Sequence, residues 1–379
     1  MPARKPVNSM HELWSYGCVE VITQRQVKVT PRGDHSCVYS QKRGGRVFSC
    51  IDLITSYFTM KTSLLYLLLR LCMPLLVLVL LRPAIVIAQT SEAVSLFAMT
   101  GSVQGTLTLP ASGSASVVAL IICGSGPTDR DGNNQFMKNN CIKMLADSLA
   151  TAGIASLRYD KRGIGASKEA MSSEENLRFD DYVSDAANWI LKLRADKRFA
   201  RVAVIGHSEG SLIGMLAAGR AKADVFVSIA GVSEPADAVL RRQLMAAPGG
   251  VADIAFPIID SLAVGKTVSS VPNKLMALFR PSVQPYLISW FKYDPLAALR
   301  ELGMPILIVQ GTTDIQALEA DAVAMKKAVP SAQLAVIPGM NHIMKNAPED
   351  RMENVKTYAN PTLPLSAGAV SSIVGFLNK

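Results

Sequence analysis

Six short apolar runs constrain this chain more than any other feature. They are Val117–Cys123, Ile154–Tyr159, Val202–Ile205, Val225–Ile229, Ile306–Val309 and Leu334–Ile337. Each is too short for a globular helix and mainly apolar, so each reads as a strand buried on both faces. Helical patterns fall between them, at about 137–152, 178–195, 209–221, 317–328 and 366–378. Strands alternating with helices specify an α/β chain with a mostly parallel central sheet flanked by helices. Ahead of these runs, residues 94–109 read as a β-hairpin around Gly101 and Gly105.

One interval breaks the alternation. Residues 233–302 carry no core strand, and Pro235, Pro248, Pro257, Pro272, Pro281, Pro285 and Pro295 cut them into short helical pieces. The interval is rich in apolar residues, among them Phe256, Leu275, Phe279, Trp290 and Phe291. An irregular insertion of this length is usually functional. It reads as a helical cap over the sheet; ordinary packing against the domain edge is the alternative.

Composition sorts the N-terminal part from the rest. The net charge of +9 sits almost wholly in residues 1–88, which carry +7 against +2 for residues 89–379. The main body therefore has no basic stripe, and nucleic acid is excluded as a partner. Met60-Lys61, the apolar run Leu64–Leu81 and the small-residue site Val86-Ile87-Ala88 before Gln89 have the layout of a secretory signal peptide. The expectation is translation from Met60, cleavage before Gln89, and a periplasmic or extracellular product. Residues 1–59 would then be a non-native or disordered extension. An uncleaved anchor through 64–81 is the alternative, and would be the only membrane contact. Beyond residue 88 only Cys123 and Cys141 remain, expected as buried free thiols rather than a disulfide.

The chemistry is carried by Gly206-His207-Ser208-Glu209-Gly210, a G-x-S-x-G set between the run Val202–Ile205 and a helical stretch. A nucleophilic serine needs this sharp strand-to-helix turn to expose its hydroxyl, and the helix N-terminus favours a developing anion. It also needs a base. After residue 88 the histidines are His207 and His342. His207 neighbours the serine and projects away from its hydroxyl, leaving His342, in the turn after Leu334–Ile337. The imidazole needs an acid to orient it. Asp314, just past Ile306–Val309, lies at the same sheet edge; Glu319 and Asp321 are weaker candidates further along. Two backbone N–H groups must hold the oxyanion. Glu209 supplies one, and the glycine-rich loop after Cys123 the other, from Ser125 first and Gly126 second; Pro127 has no N–H.

With these residues the chain resembles the α/β-hydrolase superfamily over about 94–379, and within it the serine-aminopeptidase-like hydrolases and their acyl-esterase relatives. Gly124–Gly132 resembles the group's oxyanion loop, with Cys123 where many members have histidine. Arg158–Ser167 resembles its D-x-R-G-x-G-x-S loop, and Gly311–Gln316 its G-x-x-D acid loop. The resemblance implies an α/β-hydrolase fold and a serine hydrolase with no cofactor and no metal. Asp129, Arg130, Asp131, Asp160 and Arg162 are expected to tie loops together at the rim. The expected substrate is a small or medium carboxylic ester. Short peptides, with an acidic group such as Glu234, Asp237, Asp253, Asp260 or Asp294 holding the ammonium, and thioesters are alternatives; a non-enzymatic binding module is the reading a complete Ser–His–Asp set disfavours. A neutral His342 as base predicts activity that falls as pH drops through roughly 6–7.

Overall fold

The computed structural model describes residues 89–246 and 250–379. The expected leader and the extension before it lie outside the described residues. The chain enters through two strands, β1 (Thr90–Ala98) and β2 (Gly101–Leu109), paired as an antiparallel hairpin closed at Ala98 and Gly101. The hairpin begins at Thr90 rather than at 94. The first residues of β1 are mostly exposed, so pairing holds them, not the burial that leaves a periodic signal.

The remaining strands are β3 (Val117–Ile122), β4 (Ala155–Tyr159), β5 (Arg201–His207), β6 (Val225–Ile229), β7 (Ile306–Gly311) and β8 (Gln333–Ile337). They complete an eight-stranded sheet in the order β1-β2-β4-β3-β5-β6-β7-β8. The β2–β4 pair is antiparallel and every pair from β4 to β8 is parallel. β3 shows why: all six of its residues are buried, and alternate residues serve opposite cores. Val118, Leu120 and Ile122 belong to one apolar cluster, Val117, Ala119 and Ile121 to the other.

Helices cover both faces. α1 (Cys141–Thr151) lies on the second cluster; α2 (Phe179–Ala195) and α3 (Glu209–Ala221) lie on the first. Between β6 and β7 the interval 233–302 holds α4 (Ala236–Met245), α5 (Ala252–Ala263), α6 (Met276–Phe279), α7 (Gln284–Trp290) and α8 (Pro295–Arg300). α9 (Glu319–Ala328), α10 (Arg351–Lys356) and α11 (Ala367–Leu377) follow, α11 on the face of α1.

The apolar residues of the 233–302 interval divide between buried packing and the wall of a cavity. Leu275 and Phe279 are buried within it, while Trp290 and Leu287 border a cavity. Its seat on the sheet domain is aromatic. Trp290 stacks on Phe179 of α2 with ring centroids 5.8 Å apart, and Tyr286 meets Tyr182 at 5.5 Å. Such pairs add about 0.5–1.5 kcal/mol each beyond area burial. The Ser289 hydroxyl also accepts from the Phe179 N–H at 2.8 Å.

The chain moves from β3 to β4 on one side and then to β5 on the other, so the sheet reverses direction of winding at β3. The carboxyl ends of strands at such a switch point open a crevice. Three segments of the chemistry-bearing sequence converge there.

Candidate active site

Ser208 joins β5 to α3 with φ 56° and ψ −123°. A non-glycine residue held there carries about 1–3 kcal/mol of strain, sustained by its surroundings. Two glycines make the turn sterically possible. A Cβ at Gly206 would lie 2.3 Å from the Gly210 carbonyl oxygen, and one at Gly210 would lie 2.3 Å from that of Ile122. The Ser208 N–H donates to the Ile229 carbonyl at 2.9 Å. Its side chain borders the cavity, and its hydroxyl forms no hydrogen bond among the described residues. Hydrogen bonds of this kind commonly tighten only on a bound substrate.

His342 and Asp314 are brought together across 28 positions of chain. His342 Nδ1 lies 2.9 Å from Asp314 Oδ2 and 3.1 Å from Oδ1. With Nδ1 donating, Nε2 keeps its lone pair. The Asp314 side chain is 1% exposed. Burial opposes its ionisation, but the facing His342 charge and the Gln316 and Ala317 N–H donors outweigh it and hold the carboxyl below its ordinary value. The two loops are pressed together: a Cβ at Gly311 would lie 1.9 Å from the Met340 carbonyl oxygen.

His207 has a role that its position in the sequence did not disclose. Its buried Nε2 donates to the His342 carbonyl at 2.7 Å, and the two rings stand 4.9 Å apart. Burial first, then the His342 charge, lowers its pKa to about 4. It is thus a neutral strut beneath the His342 loop.

The loop after β3 places Ser125 and Gly126 at the surface of the cavity, with Gly126 at φ 73°. Charged residues hold it from behind. Arg130 Nη2 pairs with Asp160 at 2.7 Å, and Asp160 also accepts from the Arg130 and Ala166 N–H groups. Arg158 pairs with Asp131 at 2.7 Å and Arg162 with Asp185 at 2.6 Å. Asp129 accepts from the N–H groups of Asp131 and Asn133. Of the five residues expected at the rim, Arg130, Asp131, Asp160 and Arg162 tie separate segments together, while Asp129 braces its own loop.

Lys161 and Tyr286 were not anticipated as members of the site. Lys161 Nζ donates to the Gly124 carbonyl at 2.7 Å and to Glu209 Oε2 at 2.8 Å, and Tyr286 Oη donates to Glu209 Oε1 at 2.5 Å. The one sequence signal for Lys161 was its place just beyond β4, inside the Asp160–Ser167 loop. Asp321, a weaker acid candidate, lies away from His342 and accepts from Ser233 and Arg242, tying the start of the cap to α9. Glu319 opens α9. Cys123 and Cys141 are buried free thiols, and burial pushes both well above the ordinary thiol range.

Two cavities meet at Ser208 and His342. One of about 430 Å³ lies under the cap, walled by apolar groups such as Leu212, Val239, Leu287 and Trp290. The other, of about 290 Å³, lies towards α1 and carries polar groups including Thr128, Asn134, Gln316 and Tyr358.

Residues 138–284 match the family model of the serine aminopeptidases, S33. That span includes Ser208 and Glu209 and ends before Asp314 and His342. The chain is 27% identical over 255 residues to the esterase EstD of Thermotoga maritima, spanning 63% of this chain and 57% of that protein. Among solved structures, Est1E of Butyrivibrio proteoclasticus with ferulic acid bound aligns with a TM-score of 0.51 at 16% identity, over 76% of this chain and all of that one. The α/β-hydrolase GrgF of a Penicillium species aligns at 0.51 and 16%, over 76% of this chain and 98% of its own.

Proposed function

We propose that this chain, whose fold is that of the α/β-hydrolases, is a serine esterase acting through an acyl-enzyme on Ser208. The observation that carries the reading is the buried Asp314–His342 pair at 2.9 Å, bordering with Ser208 an apolar cavity of about 430 Å³. His342 Nε2 takes the Ser208 proton as Oγ bonds to the ester carbonyl carbon. The N–H groups of Ser125 and Glu209 hold the oxyanion, with Gly126 in reserve. The carbon–oxygen bond to the alcohol then breaks, and Nε2 returns the proton to the departing oxygen. Water repeats the sequence and frees Ser208. The acyl chain lies under the cap and the alcohol leaves through the smaller cavity.

Ester is favoured over peptide by the charges around the larger cavity. A substrate ammonium would need an unpaired carboxylate. Of the five acids considered for that role only Glu234 borders the cavity, and it pairs with Arg242 at 3.2 Å. Asp260 pairs with Arg241, and Asp294 caps α8. The sequence layout of residues 60–88 further supports an exported protein cleaved before Gln89, which N-terminal sequencing of the natural product checks.

The experiment is a panel of p-nitrophenyl esters of rising acyl length beside aminoacyl-p-nitroanilides and thioesters, with protein starting at Gln89. Ester turnover is expected to dominate and to fall by a factor on the order of 10⁶ in Ser208→Ala. Dominant anilide turnover would make the protein a peptidase instead.

A further inference from the structure

We propose that Lys161 is the positioning residue of the oxyanion hole, its buried ammonium bonded at once to the Gly124 carbonyl and to the Glu209 carboxylate, beside the two N–H groups that face the reacting carbonyl. The proposal rests on the serine-esterase reading above and adds to it a residue outside the Ser–His–Asp set.

The argument starts from covalent geometry. The Gly124 carbonyl and the Ser125 N–H belong to one peptide group, and in a trans peptide they point in opposite directions. Lys161 Nζ sits 2.7 Å from the Gly124 oxygen. Fixing that oxygen fixes the direction of the Ser125 N–H, on a residue that lines both cavities. A charged donor on the oxygen also polarises the amide and strengthens its N–H as a donor.

The same ammonium holds the other half of the hole. Its second contact, 2.8 Å to Glu209 Oε2, is to the side chain of the residue whose own N–H opens α3. That N–H is one of the donors a helix leaves unsatisfied in its first turn. Lys161 lies just past the end of β4, Gly124 past β3 and Glu209 past β5, three neighbours in the sheet. One side chain thus spans three strand ends and fixes the separation of the two donors.

The pair is deeply buried, with side chains 1% and 3% exposed. Desolvating two charges is expensive, and well-packed apolar residues often hold a fold as well or better. An ion pair kept here is explained by what it orients. The cap completes the network: Tyr286 Oη donates to the remaining Glu209 oxygen at 2.5 Å, and the Tyr182 ring lies 4.9 Å from the ammonium.

The test compares Lys161→Met, Glu209→Gln and Tyr286→Phe with the parent protein on the best p-nitrophenyl ester. Alongside is a trifluoromethyl ketone, whose adduct with the serine places an oxyanion in the hole. Lys161→Met is expected to lower kcat by roughly 10²-fold, the scale of losing one oxyanion donor, with KM changed less than about threefold. Ketone affinity should weaken in step with kcat/KM across the three variants, and the acid limb of the pH profile should stay in place, because His342 is untouched. If Lys161→Met does not fold, Glu209→Gln and Tyr286→Phe carry the comparison, with smaller losses in the same direction. Folded variants with kcat within threefold of the parent, or with ketone affinity unchanged while kcat falls, would overturn the proposal. A parent protein without Ser208-dependent ester turnover would instead remove the esterase reading itself.

Discussion

At the residue scale, His207 shows how one buried side chain sets acid tolerance. Its pKa falls from 6.5 to about 4 in the fold. Between those values the unfolded chain binds a proton that the folded one refuses, so stability is complete above about 6.5 and declines as pH drops towards 4. The full loss is about 3 kcal/mol. Asp314, whose carboxyl is held below its ordinary value, contributes stability that is lost at lower pH, as that carboxyl protonates. His207→Gln keeps an amide able to reach the His342 carbonyl without carrying the titration. Its melting temperature is expected to fall less than the parent's between pH 7 and pH 4.5, by circular dichroism; equal falls would show that another group governs acid sensitivity. The residues differ in how plainly the sequence displays them. Ser208, Asp314 and His342 each follow a recognisable strand, so their common edge is legible. Lys161 is not, since its partners Gly124 and Glu209 stand 37 and 48 positions away and nothing local distinguishes a clamp from a surface lysine.

At the scale of elements, the turn between β5 and α3 is the least tolerant part of the chain. α3 approaches β3 so closely that a methyl at Gly210 has backbone, not a flexible side chain, in its path. Gly210→Ala should therefore force the helix outward at a cost of about 1–3 kcal/mol, read as a lower denaturant midpoint, with a loss of kcat as Glu209 moves. A variant with the parent's stability and rate would contradict this packing. The parallel strands were legible because burial on both faces leaves unbroken apolar runs. The helices of the 233–302 interval were not, beyond their existence. Their limits are set by prolines and by tertiary contacts such as Gln284, which is buried and bonds the Val268 backbone at both its N–H and its carbonyl. The Gln284 amide also donates to the Phe279 carbonyl, and a three-way contact of that kind has no periodicity to read.

At the scale of the molecule, one sheet joins two cores, since alternate residues of β3 serve opposite faces. The cap shares the first of these through the Trp290–Phe179 stack and the Ser289–Phe179 hydrogen bond. Protein from Gln89 to Lys379 is thus expected to unfold in a single calorimetric transition, cap included. A separate cap transition at lower temperature would show that this seat is weaker than its aromatic contacts imply. The bond from His207 to His342 spans 135 positions, and this has a consequence for the life of the chain before it is whole. A polypeptide emerging from a ribosome presents Ser208 long before His342. Until β8 has paired with β7 and the His342 loop has settled on its strut, the growing chain carries the proposed nucleophile without its proposed base. On the mechanism proposed above, hydrolytic power is then among the last properties the molecule acquires.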